Sequence, residues 1–389
     1  MLQSALLLTI IAFILKPERS QTLVCVTPNE LKTRIFDSVS RFQGNKIPFN
    51  PAMPGWEGSN VEFNVSKMET LQKNIFLTHD SQHILTMKLS GKQIKKIDEG
   101  AFIALDCLHE LLLDHNNMSK LSRNTFQGLY NLQKLDLSYN RLEYLPDLAF
   151  TSLQKLKILN LSRNRIRSVQ SLAFENLILL EDLNLEFNQL ETVDVDVFRS
   201  LRSLKSLMLA WNGLTNIEPE KWSGLETLEN LDLAGNGLNH FDPNYNFSFS
   251  ALKTLNLSGN FLTKLNVEAL NKHLPSLGFI DLNDNPWVCT DLESIVHDLN
   301  VSKVKFASRN SSTSTVSGIA CSEVPIFMSK TNIEDVISST TKKSEDWSVK
   351  NYVEGIVEKK IKESNVGVIS SIRYLQSLVI FLFVLIALV

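Results

Sequence analysis

The chain has 389 residues, of which 43% are hydrophobic, so it is long enough and apolar enough to bury a sizeable core. This composition argues against a chain that is disordered throughout, because disordered chains are poor in hydrophobic residues. The 39 basic and 42 acidic residues give a formal net charge of -3. Such a balance gives no electrostatic basis for nucleic acid as a partner, because nucleic-acid binding depends on lysine and arginine that neutralise phosphates.

The chain begins with an apolar stretch from Ala5 to Leu15 that has the length of the hydrophobic region of a secretory signal peptide. This stretch is too short to span a bilayer, because a membrane-spanning helix needs about 20 apolar residues. We therefore predict a signal peptide at residues 1–20, with cleavage near Ser20, and export of the mature chain.

The segment after the signal peptide, residues 21–83, is predicted to form an N-terminal cap for the repeats that follow. Within the sequence VEFNV, Phe63 lies 24 residues before Met87. Because 24 residues is also the spacing between successive repeats, we predict a capping strand at residues 61–65, with Phe63 beside Met87.

Residues 84–285 consist of about nine copies of a 24-residue unit, such as LKILNLSRNRIRSVQSLAFENLIL followed by LEDLNLEFNQLETVDVDVFRSLRS. One column of the aligned repeats is asparagine, formed by Asn116, Asn140, Asn164, Asn188, Asn212, Asn236, Asn260 and Asn285. A second column is aromatic, formed by Phe102, Phe126, Phe150, Phe174, Phe198 and Trp222. Two columns with the same spacing are a strong indication of a repeat architecture.

Each unit fits the pattern L-x-x-L-x-L-x-x-N-x-L, which is the leucine-rich repeat. The leucines of one short strand, such as Leu159 and Leu161, are expected to point into the core while the residue between them faces solvent. Because one unit cannot bury its own apolar side, neighbouring units stack. We therefore predict an α/β repeat fold: a curved leucine-rich repeat solenoid with a concave parallel β-sheet, short helical caps, and the aromatic column entering the core from the convex side.

The asparagine column is predicted to have a structural role. The chain bends after each strand and buries backbone groups, which a side-chain amide can satisfy because it both donates and accepts hydrogen bonds. Lys92 occupies this column in the first repeat, a departure that we attribute to the end of the array.

These repeats resemble those of animal extracellular leucine-rich repeat proteins, a group that includes Toll-type ectodomains, Slit, chaoptin and connectin. The resemblance covers residues 84–289 and implies a solenoid fold and an extracellular location. It does not imply a particular ligand, because members of the group share a scaffold and not a partner.

Residues 286–321 are predicted to form a C-terminal cap, because NPWVC at residues 285–289 and GIAC at residues 318–321 resemble the C-terminal cap of that group. The resemblance implies a disulfide bond between Cys289 and Cys321, although Asp291 stands where the usual cap has a further cysteine. Cys25 and Cys107 are then left as a second pair, and the alternative is that both remain free thiols.

A helix is expected directly after NPWVC. Thr290 and Glu293 have the spacing of a capping box. One face of this helix is apolar and consists of Leu292, Ile295, Val296 and Leu299. The helix is therefore predicted to close the open end of the core.

Residues 322–364 are dominated by serine, threonine, lysine and glutamate and are predicted to form a stalk. Apolar residues from Trp347 to Ile361 approximate a helical stripe, which could pack on the stalk, pair with a second copy of the chain to give a homo-oligomer, or lie on a membrane.

Residues 365–389 have small residues, a spacer with Arg373, and then an apolar tail, which is the order of a GPI-attachment signal. Asn365 is the favoured lipid attachment residue. The alternative is a single membrane helix that begins near Val366 and buries the costly charge of Arg373.

Large side chains occupy the position directly before the asparagine in five consecutive repeats. We call them the ridge: His115, Tyr139, Arg163, Phe187 and Trp211. Because strands lie about 4.8 Å apart, the ridge is expected to be about 19 Å long beside the concave sheet. Large amphipathic side chains in solvent are typical of protein-binding hot spots, so we predict that the ridge binds a ligand. The alternative is that these side chains only pack along one another.

An adjoining column of outward positions is polar or acidic and consists of Asp136, Asn160, Asn184, Asp232, Asn256 and Asp281. This column suits a polar or basic partner, or simply solvation. Glycosylation sequons occur at Asn64, Asn117, Asn160, Asn246, Asn256, Asn300 and Asn310. A glycan on Asn160 would partly screen the ridge.

The sequence indicates neither an enzyme nor a cofactor or metal site. It has no glycine-rich phosphate loop and no nucleophile with a base that the repeats would bring together, and the pair His79 and His83 lacks a third metal ligand.

We therefore predict a cell-surface recognition or adhesion protein, held on the outer leaflet of the plasma membrane by a lipid anchor. Its expected partner is an extracellular protein ligand or a transmembrane co-receptor, which it would need for signalling, and not nucleic acid. The alternative is an innate-immune recognition protein that binds microbial surfaces or humoral factors.

Overall fold

The computed structural model describes residues 32–36, 59–63, 67–76, 84–193, 196–217, 222, 224–243, 249–308 and 314–323. The expected signal peptide, stalk and lipid-attachment segment lie outside these residues. The same is true of His79, His83, Cys25, Asn64, Asn246, Asn310 and Asn365.

The described strands are short, and most of them recur once per repeat. In chain order they are β1 (Lys32–Phe36), β2 (Ser59–Phe63), β3 (Thr70–Leu71), β4 (Ile84–Lys88), β5 (Lys96–Ile97), β6 (Glu110–Leu112), β7 (Lys134–Asp136), β8 (Tyr144–Leu145), β9 (Ile158–Asn160), β10 (Ser168–Val169), β11 (Asp182–Asn184), β12 (Ser206–Met208), β13 (Asn230–Asp232), β14 (Thr254–Asn256), β15 (Phe279–Asp281), β16 (Lys305–Phe306), β17 (Thr315–Val316) and β18 (Ile319–Ala320). Two helices are described, α1 (Val267–His273) and α2 (Cys289–Val301).

Twelve of these strands form one parallel sheet in the order β1-β2-β4-β6-β7-β9-β11-β12-β13-β14-β15-β16. Successive strands pair with a shift of one repeat, so that Leu135, Leu159, Leu183 and Leu207 lie side by side across the sheet. This pairing confirms the predicted leucine-rich repeat solenoid. Within the described residues, no helix is long and apolar enough to cross a membrane.

The inner leucines and the aromatic column form a single core. Leu159 and Leu161 are fully buried, as are their counterparts in the other repeats. The phenylalanine rings stack from Phe102 to Phe198 with centroids 5.8 to 6.5 Å apart. Trp222 continues the column edge-on, 5.3 Å from Phe198. Each such pair adds about 0.5–1.5 kcal/mol to the burial of the rings.

The N-terminal cap corrects the expected register. The strand β2 does pair with β4, but Val61 lies opposite Met87, so that 26 residues separate the partners instead of 24. The same spacing joins Phe76 to Phe102, whose rings stack at 5.8 Å. The cap unit is therefore two residues longer than a repeat, and the prediction that Phe63 lies beside Met87 was wrong.

The asparagine column links neighbouring repeats as expected. The Asn164 Nδ2 donates to the carbonyl oxygens of Leu161, at 3.0 Å, and of Leu137 in the preceding repeat, also at 3.0 Å. Its Oδ1 accepts from the backbone N–H of Leu142 at 3.0 Å. We call this set of bonds, repeated at the other column asparagines, the asparagine ladder. It satisfies buried backbone groups that the sheet does not reach.

The C-terminal cap contains the disulfide between Cys289 and Cys321. The predicted apolar face of α2, from Leu292 to Leu299, is buried. The predicted capping box was wrong, because the N-cap residue is Val288, which makes no side-chain capping bond, and Thr290 lies inside the first turn. The chain starts this helix through a backbone contact instead: the Cys289 N–H donates to the Ser322 carbonyl at 2.9 Å.

Cys107 is also disulfide-bonded. Its partner lies outside the described residues, so the pairing of Cys107 with Cys25 stays a prediction.

Replacing Asn164 by alanine should lower the free energy of unfolding by about 1–3 kcal/mol, because buried backbone groups in two repeats lose their partners. Equilibrium denaturation would measure this change. Asn239→Ala, at an exposed position, is the matched control and should change stability by less than about 0.5 kcal/mol. Equal effects of the two substitutions would contradict the structural role of the ladder.

Candidate functional site

The ridge residues share one unusual backbone conformation. Their φ angles are positive: 53° for His115, 52° for Tyr139, 54° for Arg163, 53° for Phe187 and 56° for Trp211. This left-handed conformation costs an L-residue about 1–2 kcal/mol. Gly91, Gly235 and Gly259 hold the same position in other repeats, also with positive φ.

The left-handed conformation lets the backbone N–H of each ridge residue donate a hydrogen bond to a carbonyl oxygen of the next repeat. The N–H of Phe187 donates to the carbonyl of Ala210 at 2.9 Å, and the N–H of Trp211 donates to that of Ala234 at 2.8 Å. The following asparagine then reaches the ladder. The backbone therefore requires the left-handed conformation at this position whatever side chain it carries.

The structure brings the five ridge side chains into one continuous stack. The rings of His115 and Tyr139 lie 4.1 Å apart, and those of Phe187 and Trp211 lie 5.9 Å apart, with nearly parallel planes. The Arg163 guanidinium joins the two pairs, since its Cζ lies 5.2 Å from the Tyr139 centroid and 4.1 Å from that of Phe187. The side chains do pack along one another, as the simpler interpretation of the sequence proposed.

The exposure of the stack falls along the chain. His115 and Tyr139 are exposed, whereas Arg163, Phe187 and Trp211 are half-buried. The indole of Trp211 covers Gly235 so closely that a Cβ on this glycine would lie 2.5 Å from the indole Cε3 atom. The indole of Trp211 therefore stacks on Phe187 and also lies against the Gly235 backbone, and the next residue, Asn212, is half-buried.

Carboxylates adjoin the ridge on the concave sheet. Burial raises the pKa of Asp232, and the charge of Asp281 raises it further, against hydrogen bonds from Ala234 and Asn256. Burial also raises the pKa of Glu186, with a further contribution from Asp232. These shifts show that negative charge is held close together on a partly dehydrated surface.

The pKa of Asp182 is also raised, first by burial and then by the charge of Glu181. Asp182 is not a member of the polar column that the sequence indicated. It lies two residues before the column residue Asn184, at the start of β11. The acidic part of the sheet is therefore wider than the sequence pattern suggested.

Sequence reasoning missed two apolar members of this surface. Met208 and Phe279 are each 37% exposed. They line a shallow depression across β12 to β15, together with Asn230, Asp232 and Thr254. Both occupy outward strand positions of the repeat pattern, and this is the signal that would have found them.

Four predicted glycosylation sites lie in the described residues. Asn160 and Asn256 are half-buried on the sheet, and their Nδ2 atoms donate to Asp136 at 3.3 Å and to Asp232 at 3.1 Å. Asn117 is half-buried, and Asn300 is exposed near the end of α2. Glycans on Asn160 and Asn256 would stand on the concave sheet.

Among the residues that the structure describes, no group of three or more histidine, cysteine, aspartate or glutamate side chains is placed to hold a metal ion. The ridge and the adjoining sheet present aromatic rings, a thioether and carboxylates.

Replacing Gly235 by alanine should displace the Trp211 indole and shift its fluorescence, because the added methyl group would overlap the ring. Gly259→Ala is the matched control, since Gly259 has a similar φ of 64° but a Cβ there would meet only the Gly235 backbone, at 3.3 Å. Tryptophan emission spectra of both variants, each repeated with Trp211→Phe, would measure the effect. A spectrum of Gly235→Ala that equals that of Gly259→Ala would contradict the packing described.

Comparison with known proteins identifies the repeats. One profile described as "Leucine rich repeat" matches residues 82–142, 130–190 and 178–238, and a second profile of the same description matches residues 251–273. A search of curated protein sequences gave no match.

Several solved structures share the fold. A chain of the octameric complex of Latrophilin 3, Unc5D and FLRT2, in which FLRT2 contributes the leucine-rich repeats, is 24% identical; the match covers 68% of this chain and 79% of that one, with a TM-score of 0.55. A chain of the Drosophila Toll–Spatzle complex is 23% identical over 69% of this chain and 41% of that one, with a TM-score of 0.54.

A chain of the TLR13–ssRNA13 complex is 26% identical over 59% of this chain, with a TM-score of 0.46. This protein spans about two fifths of the length of the Toll and TLR13 chains. The profiles and the sheet with its asparagine ladder agree, and the described part of the chain is a leucine-rich repeat solenoid.

Proposed function

We propose that this chain is a cell-surface recognition or adhesion protein that binds a protein partner through the ridge. The observation that carries the proposal is the continuous stack of five large side chains on left-handed backbone. A non-glycine residue held in a rarely populated conformation is a reason to look for function at that position.

The repeats with glycine at this position support a role other than stability. Each left-handed L-residue costs about 1–2 kcal/mol, which glycine avoids. Each stacked contact returns about 0.5–1.5 kcal/mol beyond the burial of the rings, so the stack offsets a cost that glycine does not incur. Gly91, Gly235 and Gly259 complete the same turn without any side chain. The fold alone therefore does not need the five ridge residues.

The fold neighbours support a scaffold for protein contacts. FLRT2 is found in a complex with Latrophilin 3 and Unc5D, and Toll in a complex with Spatzle. At 23% and 24% identity these likenesses concern the fold, so we assign none of those partners to this chain. The proposal that the partner is an extracellular protein ligand or a transmembrane co-receptor rests on the chemistry of the ridge.

The proposed location follows from the sequence. The apolar stretch at Ala5 to Leu15 supports export, and the order of small residues, spacer and apolar tail supports a GPI anchor at Asn365 on the outer leaflet. A protein anchored in this way would depend on a co-receptor to transmit a signal across the membrane.

Replacing Tyr139, Phe187 and Trp211 together by alanine should reduce binding of the fluorescently labelled protein to a panel of animal cells by at least about tenfold, as expected for hot-spot aromatic residues. The variant should remain folded, with the circular dichroism spectrum of the wild type at about 25 °C, because the core and the asparagine ladder are unchanged, although the loss of stacked contacts lowers its melting temperature. Flow cytometry and circular dichroism would measure the two effects.

The matched control replaces three exposed hydrophobic residues outside the ridge, Tyr130, Ile178 and Leu179, which are 51%, 54% and 43% exposed. This variant should bind cells as the wild type does. An equal loss in both variants would remove the ridge from consideration. Binding to microbial surfaces in place of animal cells would favour the immune recognition role.

A phosphatidylinositol-specific phospholipase should release the protein from the surface of cells that express it, because the enzyme cleaves the lipid of a GPI anchor. A chain that ends at Ser377, without the apolar tail, should be secreted into the medium. Immunoblots of the medium would measure both. Retention on treated cells would show instead a helix that spans the membrane.

A further inference from the structure

We propose that the concave sheet between Asn160 and Asn256 docks a positively charged segment of the protein partner, rich in arginine or lysine. This inference rests on the proposed function and names the chemistry of the partner. The surface comprises Asp182, Glu186 and Asp232 with the apolar side chains of Met208 and Trp211.

Charge complementarity is the first argument. From β11 to β15, the outward positions of the strands and the turns after them contain no lysine or arginine. The nearest cations are already engaged: the Lys205 Nζ lies 2.6 Å from a Glu181 carboxylate, and Arg163 lies between two rings of the ridge. A cationic segment would supply the missing charge.

The second argument is that the pKa values of the three carboxyl groups are raised. Burial raises the pKa of each of the three carboxyls and a neighbouring negative charge raises it further, against the opposing charges of Lys205 at Asp182 and of Arg163 at Glu186. Charge interactions are stronger on such a partly dehydrated surface than in bulk water. A bound guanidinium or ammonium group would relieve this repulsion and donate hydrogen bonds to the same carboxylates.

The third argument is the apolar surface beside the carboxylates. Met208 is 37% exposed at the end of β12, and Trp211 follows it in the same repeat. Arginine and lysine bury their alkyl stems on apolar surface while their charged ends reach a carboxylate. Arg163 shows that a guanidinium fits the ridge, since it lies 4.1 Å from the Phe187 centroid.

The predicted glycosylation sites limit the size of the segment. Asn160 and Asn256 lie four repeats apart, which corresponds to about 19 Å at a strand spacing of about 4.8 Å. An extended chain of about six residues spans this distance at about 3.3 Å per residue. The surface therefore suits a narrow extended segment or a loop, and not a broad domain face.

The test uses the full-length protein purified from animal cells and, as probe, a fluorescent ten-residue peptide of alternating arginine and glycine. A peptide with glutamate in place of arginine is the control ligand. Fluorescence anisotropy at about 0.15 M ionic strength gives the dissociation constant, and the difference in tryptophan emission between the wild type and Trp211→Phe, called Trp211 emission, reports contact at this surface. The arginine peptide should bind and change the Trp211 emission, and the glutamate peptide should not.

Two variants that remove the same number of charges locate the binding. Asp182→Asn with Glu186→Gln and Asp232→Asn should weaken the arginine peptide by at least about tenfold. Glu143→Gln with Glu226→Gln and Glu293→Gln, all at exposed positions away from the concave sheet, should change the dissociation constant by less than about twofold. Glu186→Gln alone serves if the first variant folds poorly, and it should weaken binding about threefold.

Equal weakening by both triple variants, or unchanged Trp211 emission, would overturn the proposal by showing only a general effect of net charge. Cell binding separates this inference from the proposed function. If the ridge variant loses cell binding and the Asp182, Glu186 and Asp232 variant keeps it, this inference fails and the proposed function stands. If the ridge variant keeps cell binding, the proposed function fails whatever the peptide does.

Discussion

The structure depends on one repeated interaction, the hydrogen bonds of a buried asparagine side chain to the backbone of two neighbouring repeats. Asn164 shows the geometry: its amide donates to the carbonyls of Leu161 in its own repeat and Leu137 in the preceding one, and accepts from the N–H of Leu142 in the preceding repeat. A hydrophobic core alone would tolerate sliding of one repeat against the next. The amide removes that freedom, because a shift would leave buried donors and acceptors without partners.

The turn that contains the buried asparagine holds two kinds of position. Some of its residues are required by the fold, and others differ from one repeat to the next. The asparagine and the leucines are fixed by burial, whereas the residue directly before the asparagine is fixed only in its backbone conformation. Glycine, aspartate, arginine, histidine and three aromatic residues all occur there. Stability favours glycine at a left-handed position, so the run of large side chains from His115 to Trp211 is a property of this surface and not of the scaffold.

The columns of leucine, asparagine and phenylalanine were enough to predict the solenoid, its strand register and the position of the ridge, because each column repeats one burial requirement. The caps do not repeat, so their details were missed: Val61 and not Phe63 lies opposite Met87, and Val288 begins α2 without a capping side chain. The left-handed backbone at Tyr139 was not visible, since only glycine signals it in a sequence. Met208 and Phe279 were overlooked because outward positions carry no fixed residue type.

The bare backbone of Gly235 has a consequence for anyone who would move this surface to another solenoid. The indole at position 211 lies flat because the next repeat offers no side chain beneath it. The orientation of a side chain in one repeat thus depends partly on the residue in the next repeat, and a graft of the five side chains alone would tilt the indole. The unit that can be transplanted is the ridge together with Gly235 in the repeat that follows it.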